Sequence, residues 1–293
     1  MQNNNNFKYI ATIDWLEFEI RTLNDSNFFS IKSLFKANYV VPINEKSGGA
    51  TNRFRFRLQN IKTWYELNET FKTANYIQPI VSIFIVGVEI SFDAFSISQD
   101  KEELIEKAAE LFWLLQTPCS KNMRASGDYK GSSEQLTNHK STIRKIRDGK
   151  SIYIGSQKDD EISQRIYYKT TDNSKALPIK EHRARYEITL LNDKCPFHTL
   201  EEASSYKFSD LANKFKFRKV KENSSILDLL LTNATKQLGN INIPRFSGGG
   251  LKVGNYGTKS NIELNRIAYN KLRELTKRLQ KKRLTRKLRV INS

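Results

Sequence analysis

The sequence predicts an α+β fold, in which a largely antiparallel sheet with flanking helices is followed by a helical, basic C-terminal region. Segments rich in β-branched and aromatic residues are interleaved with segments of helical periodicity. Two predicted strands, 151–155 and 164–169, are joined by a short polar turn, which favours antiparallel pairing. Beyond residue 195 the periodicity is helical and Lys and Arg become frequent. We therefore predict two regions, 1–195 and 196–293.

Strand and helix signals place the elements in order. Apolar runs and alternation predict strands, while N-cap residues such as Asp25, Ser26, Asp100 and Thr199 predict helix starts. The predicted strands are 9–20, 53–58, 77–93 as one or two strands, 151–155, 164–169 and 183–191. The predicted helices are 28–35, 61–73, 101–115, a short one within 133–147, 199–215, 224–238 and 260–288. The role of 117–149 stays open.

Composition and charge indicate a globular protein with a polyanionic partner. The chain has 293 residues, of which 38% are hydrophobic, and its 17 Phe and 12 Tyr can fill substantial cores. Lys and Arg number 49 against 31 Asp and Glu, a formal net charge of +18. Such an excess favours nucleic acid as a partner, although a merely soluble basic protein is the alternative.

The cysteines and the absence of long apolar runs predict a cytoplasmic protein. Cys119 and Cys195 are too few and too isolated for a disulfide framework or a zinc site, so a reducing compartment is expected. No apolar run reaches membrane-spanning length, and the Asn-rich start does not resemble a signal peptide. We expect no membrane partner.

Two patterns of basic residues are candidate DNA contacts. Arginines and apolar residues alternate along the predicted strand 53–58, so the apolar side chains share one face and the arginine side chains share the other. These arginines form either a track for backbone phosphates or a solvated sheet face. The last predicted helix has a leucine stripe and a basic opposite face, which is either a DNA contact or a solvated amphipathic helix. The candidate residues are Arg53, Arg55, Arg57, Lys277, Lys281 and Arg286.

Three acids within apolar strands are candidate metal ligands. Glu89, Asp93 and Glu187 are costly to bury unless each is paired or metal-bound. Oxygen ligands alone favour Mg²⁺ or Mn²⁺, and a salt bridge to an arginine of the sheet is the alternative. Residues 89 and 93 share a strand face but lie about 13 Å apart, so they cannot clamp one ion without a bend. Glu89 is therefore the better ligand.

A pair of tyrosines lies between two cations. Tyr167 and Tyr168 point to opposite faces of a strand, so at most one can share the face of the acids. A tyrosine beside a divalent cation can attack a phosphodiester, while Arg165 and Lys169 would neutralise charge on the phosphorus. A structural aromatic residue is the alternative.

In chain order these motifs resemble those of the rolling-circle replication initiators of small plasmids and filamentous phages, the Rep_trans family. The resemblance covers about residues 8–195. The segments that carry it are Glu89-Ile90-Ser91-Phe92-Asp93, Gly155-Ser156, Arg165-Ile166-Tyr167-Tyr168-Lys169 and Arg185-Tyr186-Glu187.

The resemblance implies a sheet of the nickase and relaxase type and a set of site residues. Tyr167 would be the nucleophile that becomes linked to the 5′ phosphate and releases a 3′-OH, and Tyr168 would occupy a variable position. The ligands of Mg²⁺ or Mn²⁺ would come from Glu89, Asp93 and Glu187, with Asp14 as a weaker fourth candidate. Arg185 would be a further DNA contact.

The resemblance also implies partners, and it leaves other functions open. The partners would be DNA, as an origin hairpin or single strand with flanking duplex, and a host helicase; a homodimer stays open, because the sequence does not determine the oligomeric state. The Gly-rich segment 247–257 lacks the ending of a phosphate-binding P-loop, so ATP hydrolysis is unsupported. The histidines are scattered, so a histidine-pair metal site is excluded. A mobilisation relaxase or a non-catalytic DNA- or RNA-binding regulator is the alternative function.

Overall fold

The structure, a computed structural model, describes residues 4–44, 50–116, 124–125, 139–154, 161–172, 174–220 and 258–281. It confirms the predicted α+β class. The strands are β1 (Phe7–Ser26), β2 (Tyr39–Pro42), β3 (Thr51–Gln59), β4 (Ile80–Ser96), β5 (Arg124–Ala125), β6 (Ile152–Ile154), β7 (Ile162–Lys169), β8 (Thr171–Asp172), β9 (Lys175–Ala176), β10 (Arg183–Leu191), β11 (Arg218–Val220) and β12 (Thr258–Ser260). The α-helices are α1 (Phe28–Phe35), α2 (Trp64–Ile77), α3 (Lys101–Leu114), α4 (His139–Arg147), α5 (Leu200–Ser205) and α6 (Ile262–Leu279).

The described residues fall into two compact units. The first takes residues from Met1–Asp14, Gly87–Cys195 and Lys207–Glu274, and the second takes them from Trp15–Val86, Pro196–Tyr206 and Leu275–Ser293. The long strands β1 and β4 contribute residues to both. These units do not coincide with the two regions predicted from the sequence, 1–195 and 196–293. That the two regions are separate domains stays a prediction.

In the first unit the strand order is β1-β4-β10-β7-β6-β5. The pairs formed by β10 with β4 and β7, and by β6 with β7 and β5, are antiparallel. One face of these strands packs on helix α3, which contacts β7 and β10. Phe92, Ile166 and Tyr186 are fully buried on that face because they occupy alternate positions of their strands. Polar residues therefore occupy the other face.

In the second unit β3 pairs antiparallel with both β1 and β2. Phe54, Phe56 and Leu58 are buried, as the alternation of β3 predicts. Phe56 stacks on Phe18 of β1 at a ring-centroid distance of 5.6 Å, and Phe71 of α2 packs on Phe18 at 5.0 Å. This aromatic cluster forms the core of the second unit.

Several element boundaries differ from the predictions because tertiary pairing extends or ends them. Strand β1 continues to Ser26, so Asn27 caps α1 in place of Asp25 or Ser26. Asp100 caps α3 as predicted. Thr199 forms a capping box at α5, but this helix ends at Ser205 and a 3₁₀ helix, Phe208–Phe215, follows.

The C-terminal helix α6 ends at Leu279, whereas the leucine stripe predicts a helix to about residue 288. The stripe itself is buried, as predicted; its members are Leu264, Ala268, Leu272, Leu275 and Leu279. The predicted helix 224–238 and the Gly-rich segment 247–257 lie outside the described residues. Among the described helices, none combines the length and apolar character needed to cross a membrane.

We predict that Asp100→Ala lowers the free energy of unfolding by about 1 kcal/mol, because the Asp100 side chain accepts hydrogen bonds from the backbone N–H groups of Glu102 and Glu103. Urea denaturation measures the change. Asp148→Ala is the control, since this exposed acid lies beyond the end of helix α4. Equal stability of the Asp100 variant and the wild type would show that the cap contributes nothing.

Candidate active site

One face of the first unit collects charged residues from adjacent strands; we call it the acid face. Residues directly opposite each other in paired strands point to the same side of the sheet. Across β4 and β10, Glu89 lies opposite Thr189 and Asp93 opposite Arg185. The register between β10 and β7 places further charged residues and one tyrosine on this face: Glu187 opposite Arg165, and Arg185 opposite Tyr167.

Three carboxylates on the acid face, Asp14, Glu89 and Glu187, form a group that can hold a metal ion; we call it the acidic cluster. One oxygen of each lies within 4.8 Å of the others. Glu89 and Glu187 are buried, whereas the Asp14 side chain is 24% exposed. A set of carboxylate oxygens is the donor set that Mg²⁺ and Mn²⁺ prefer, so the residues present fit such an ion.

Asp93, predicted as a ligand, does not belong to the acidic cluster. Both of its oxygens bind Arg185, from Nε at 2.6 Å and from Nη2 at 2.7 Å. The reason is the extended strand, which carries residue 93 away from residue 89. Asp14, from the neighbouring strand β1, takes the position beside Glu89 instead.

Arg185 is the internal counter-charge of the acid face. Its third nitrogen, Nη1, donates to Asp14 Oδ1 at 2.7 Å and to Glu187 Oε1 at 3.2 Å. Its side chain is 4% exposed. The predicted role of Arg185 as a DNA contact therefore has no support in this geometry, because the guanidinium is buried among carboxylates.

The two tyrosines are separated by the sheet. The Tyr167 hydroxyl donates a hydrogen bond to Glu187 Oε1 at 2.8 Å, so this tyrosine lies on the acid face. Tyr168 points to the opposite face, where its hydroxyl lies 2.7 Å from Nδ1 of His182. His182 Nε2 lies 3.0 Å from the carbonyl oxygen of Leu177 and donates to it, which leaves Nδ1 to accept the Tyr168 hydroxyl.

Arg165 and Lys169 both lie on the acid face but have different surroundings. Arg165 donates from Nε to Glu187 Oε2 at 2.6 Å, and its guanidinium lies 4.8 Å from the centre of the Tyr167 ring. The Arg165 side chain is 28% exposed, so it can reach a phosphate from solvent. Lys169 is buried, and its Nζ lies 2.8 Å from Asp172 Oδ1.

Burial and neighbouring charges shift the pKa values of this site. Burial, reinforced by the charge of Glu187, raises the pKa of Glu89 to about 8. Burial alone would also raise the pKa of Asp14, but Arg185 and Lys169 hold it below its usual range. Burial and the Glu187 carboxylate raise the pKa of Tyr167 above its ordinary value, against the opposing effect of Arg185 and Arg165. Without a cation, Tyr167 is therefore protonated.

The arginines predicted as a phosphate track are paired with carboxylates of β1. Arg53 and Arg55 form ion pairs with Glu19. Arg57 lies 3.4 Å from Glu17, and its guanidinium stacks 4.1 Å from the centre of the Trp15 ring. DNA phosphates would have to displace these carboxylates, so the ion pairs do not favour the predicted phosphate track on the outward face of β3.

The remaining predicted positions lie at the C terminus and in one loop. Lys277 and Lys281 are exposed, on helix α6 and just after it. Arg286 and the Gly155-Ser156 motif lie outside the described residues. The sequence signal for Asp14 was the strand 9–20, but only the pairing of β1 with β4 brings this acid to Glu89.

We predict that Glu89 makes the cation-free protein less stable as the pH rises. Because its folded pKa of about 8 exceeds the ordinary glutamate pKa of 4.5, its contribution to stability is fully present below pH 4.5 and is lost as the pH rises through about 8. Thermal denaturation in EDTA between about pH 5 and pH 8 should show a steeper fall for the wild type than for Glu89→Gln. Parallel curves for the two proteins would contradict the assignment.

Comparison with known proteins finds similarity at the level of structure alone. No protein-family model matches the chain, and no curated protein matches it significantly. The chain is similar in structure to a rolling circle replication initiator protein from Geobacillus stearothermophilus, at 14% identity, over 78% of this chain and 97% of that one, with a TM-score of 0.37. A likeness at this score carries no argument about function.

Proposed function

We propose that this protein is a rolling-circle replication initiator, which nicks and rejoins single-stranded DNA at an origin through Tyr167. One observation carries the proposal: the Tyr167 hydroxyl is bound to a carboxylate of the acidic cluster, whereas the adjacent Tyr168 is on the other face. The motif order given above supports the same assignment. A tyrosine beside a site for a hard cation is the constellation needed for phosphoryl transfer.

The proposed reaction is a transesterification. The Tyr167 oxygen attacks the scissile phosphorus, the bond from phosphorus to the 3′ oxygen breaks, and the proton of the phenol ends on the released 3′-OH. The protein then carries a 5′-phosphotyrosyl bond, and attack by a 3′-OH reverses the reaction and rejoins the strand. Because no bond energy is lost, the same residues serve both directions.

Residues of the acid face have different roles in the proposed reaction. Asp14, Glu89 and Glu187 would hold Mg²⁺ or Mn²⁺, which when bound supplies Lewis-acid polarisation of the scissile phosphate. Arg165 is the most accessible of the described cations around Tyr167 and would position a phosphate oxygen. Lys169 and Arg185 are buried on this face, and their positive charges favour the ionised form of Asp14.

The charges of the acid face explain why a cation and DNA would bind together. Among the described residues, the carboxylates of this face, from β1, β4 and β10, are matched in number by cations of β7 and β10. The carboxylates are Asp14, Glu89, Asp93 and Glu187, and the cations are Arg165, Lys169, Arg183 and Arg185. When Glu89 is ionised, a divalent ion added to this set leaves positive charge, which an incoming phosphate would neutralise.

Other functions are less well supported. A mobilisation relaxase would use the same tyrosine chemistry, and only its DNA substrate would differ. A non-catalytic DNA- or RNA-binding regulator would explain the basic residues, but it gives no reason for buried acids around the Tyr167 hydroxyl. The host helicase that the resemblance implies remains a prediction, and the homodimer stays open.

We predict that Tyr167→Phe abolishes formation of a covalent protein–DNA adduct, because the variant lacks the attacking oxygen. The measurement is incubation with single-stranded origin DNA and Mn²⁺, followed by denaturing electrophoresis. DNA affinity should stay at the wild-type level, since the size and charge of the site are kept.

Tyr168→Phe is the matched control for this experiment. This substitution also removes a phenol hydroxyl, but from the adjacent residue on the opposite face of the sheet. The variant should form the adduct at nearly the wild-type rate. If Tyr168→Phe abolishes the adduct while Tyr167→Phe retains it, the nucleophile is misassigned. If wild type forms no adduct with any single strand, the nickase proposal fails.

We also predict that the C-terminal helix contributes to duplex binding. Charge reversal at Lys277 and Lys281 should weaken duplex affinity and reduce the slope of log K against log salt by roughly 2, since each lost phosphate contact contributes about 0.9. A matched control reverses Lys36 and Lys62, which are exposed and give the same change in net charge. Identical salt slopes for the two double variants would show that α6 is not a specific contact.

A further inference from the structure

Glu187 has no acceptor capacity left in the cation-free arrangement. Arg165 donates to its Oε2 from Nε at 2.6 Å, and Nη2 of the same guanidinium lies 2.5 Å away. Its Oε1 accepts from Tyr167 at 2.8 Å and from Arg185 at 3.2 Å. An ionised carboxylate offers about four lone-pair sites, and here three hydrogen bonds and the close Nη2 contact surround its two oxygens. The side chain is 0% exposed, so water cannot substitute for a lost donor.

The geometry of the acidic cluster nevertheless places Glu187 within reach of any ion that Asp14 and Glu89 hold. To become a ligand, Glu187 must give up one of its donors. Arg185 also donates two hydrogen bonds to Asp93, and Arg165 binds Oε2, the oxygen of Glu187 that Tyr167 does not use. Tyr167 is the neutral donor of the set, and charge-assisted hydrogen bonds are roughly twice as strong as neutral ones.

We propose that Glu187 exchanges the Tyr167 hydroxyl for a divalent cation, so that cation binding releases the nucleophile. This inference rests on the proposed function and adds a step to it. In the cation-free protein Glu187 positions Tyr167 and keeps its proton in place. When Glu187 turns to the cation, the hydroxyl is free to meet the phosphorus, and the negative charge that opposes its ionisation is neutralised. Nicking is thereby coupled to the presence of the ion.

Thermodynamic reciprocity gives a test that needs no DNA. If the cation and the Tyr167 hydroxyl compete for Glu187, removal of the hydroxyl must strengthen cation binding. Calorimetric titration of the full chain with Mn²⁺ should show that Tyr167→Phe binds about tenfold more tightly than the wild type, the factor that corresponds to a hydrogen bond to a charged group. Tyr168→Phe should bind with wild-type affinity.

A second measurement follows the tyrosine itself. With tyrosine labelled by ¹³C at Cζ, the resonance that is missing from Tyr167→Phe belongs to Tyr167. Titration with diamagnetic Mg²⁺ should shift this resonance in the wild type, because the phenol loses its carboxylate acceptor, while the Tyr168 resonance stays in place.

The outcomes separate this inference from the proposed function. Equal or weaker Mn²⁺ binding by Tyr167→Phe would overturn the exchange, even if the wild type forms its DNA adduct. Tighter binding by Tyr167→Phe would support the exchange, even if no DNA adduct is found, in which case the nickase proposal alone fails. A Tyr167 resonance that Mg²⁺ leaves unmoved at saturation would also overturn the exchange.

Discussion

The buried ion pair between Arg185 and Asp93 is the interaction on which the candidate site depends. Asp93 fixes the guanidinium through two of its nitrogens, and the third nitrogen then reaches Asp14 and Glu187. Loss of one partner would leave a buried charge uncompensated, which typically costs about 3–5 kcal/mol. Without this pair, carboxylates from strands β1 and β10 would repel one another across β4. Arg185 thus links carboxylates of three strands before any ion binds.

The two-residue period of a β-strand determines which groups meet. The face that packs on α3 takes the large apolar residues, so every charged residue of β4, β7 and β10 that enters the network occupies the alternate positions. The Tyr167 side chain points to the same face as these charged residues, and the Tyr168 side chain points to the other face. One step along β7 therefore decides which tyrosine can take part in chemistry at the acidic cluster.

The sequence predicts the fold class and the elements well, because alternation and helix caps are local signals. It also shows that the two tyrosines point to opposite faces, and that residues 89 and 93 lie too far apart to share an ion. It could not assign the face of Tyr167, since this depends on the register of β7 with β10. Asp14 could not be placed either, because its contact with Glu89 arises from pairing between strands far apart in the chain. Local patterns carry no information on such long-range pairing.

In the proposed reaction Tyr167, and not its neighbour Tyr168, carries the DNA. The most direct test is mass spectrometry of the covalent adduct formed by the wild-type protein with single-stranded DNA and Mn²⁺. Trypsin, which cuts after Arg and Lys, releases residues 166–169 as a tetrapeptide, Ile-Tyr-Tyr-Lys. Fragmentation between its two tyrosines locates the nucleotide. We predict a nucleotide on the Ile-Tyr fragment; a nucleotide on the Tyr-Lys fragment would contradict the assignment of Tyr167.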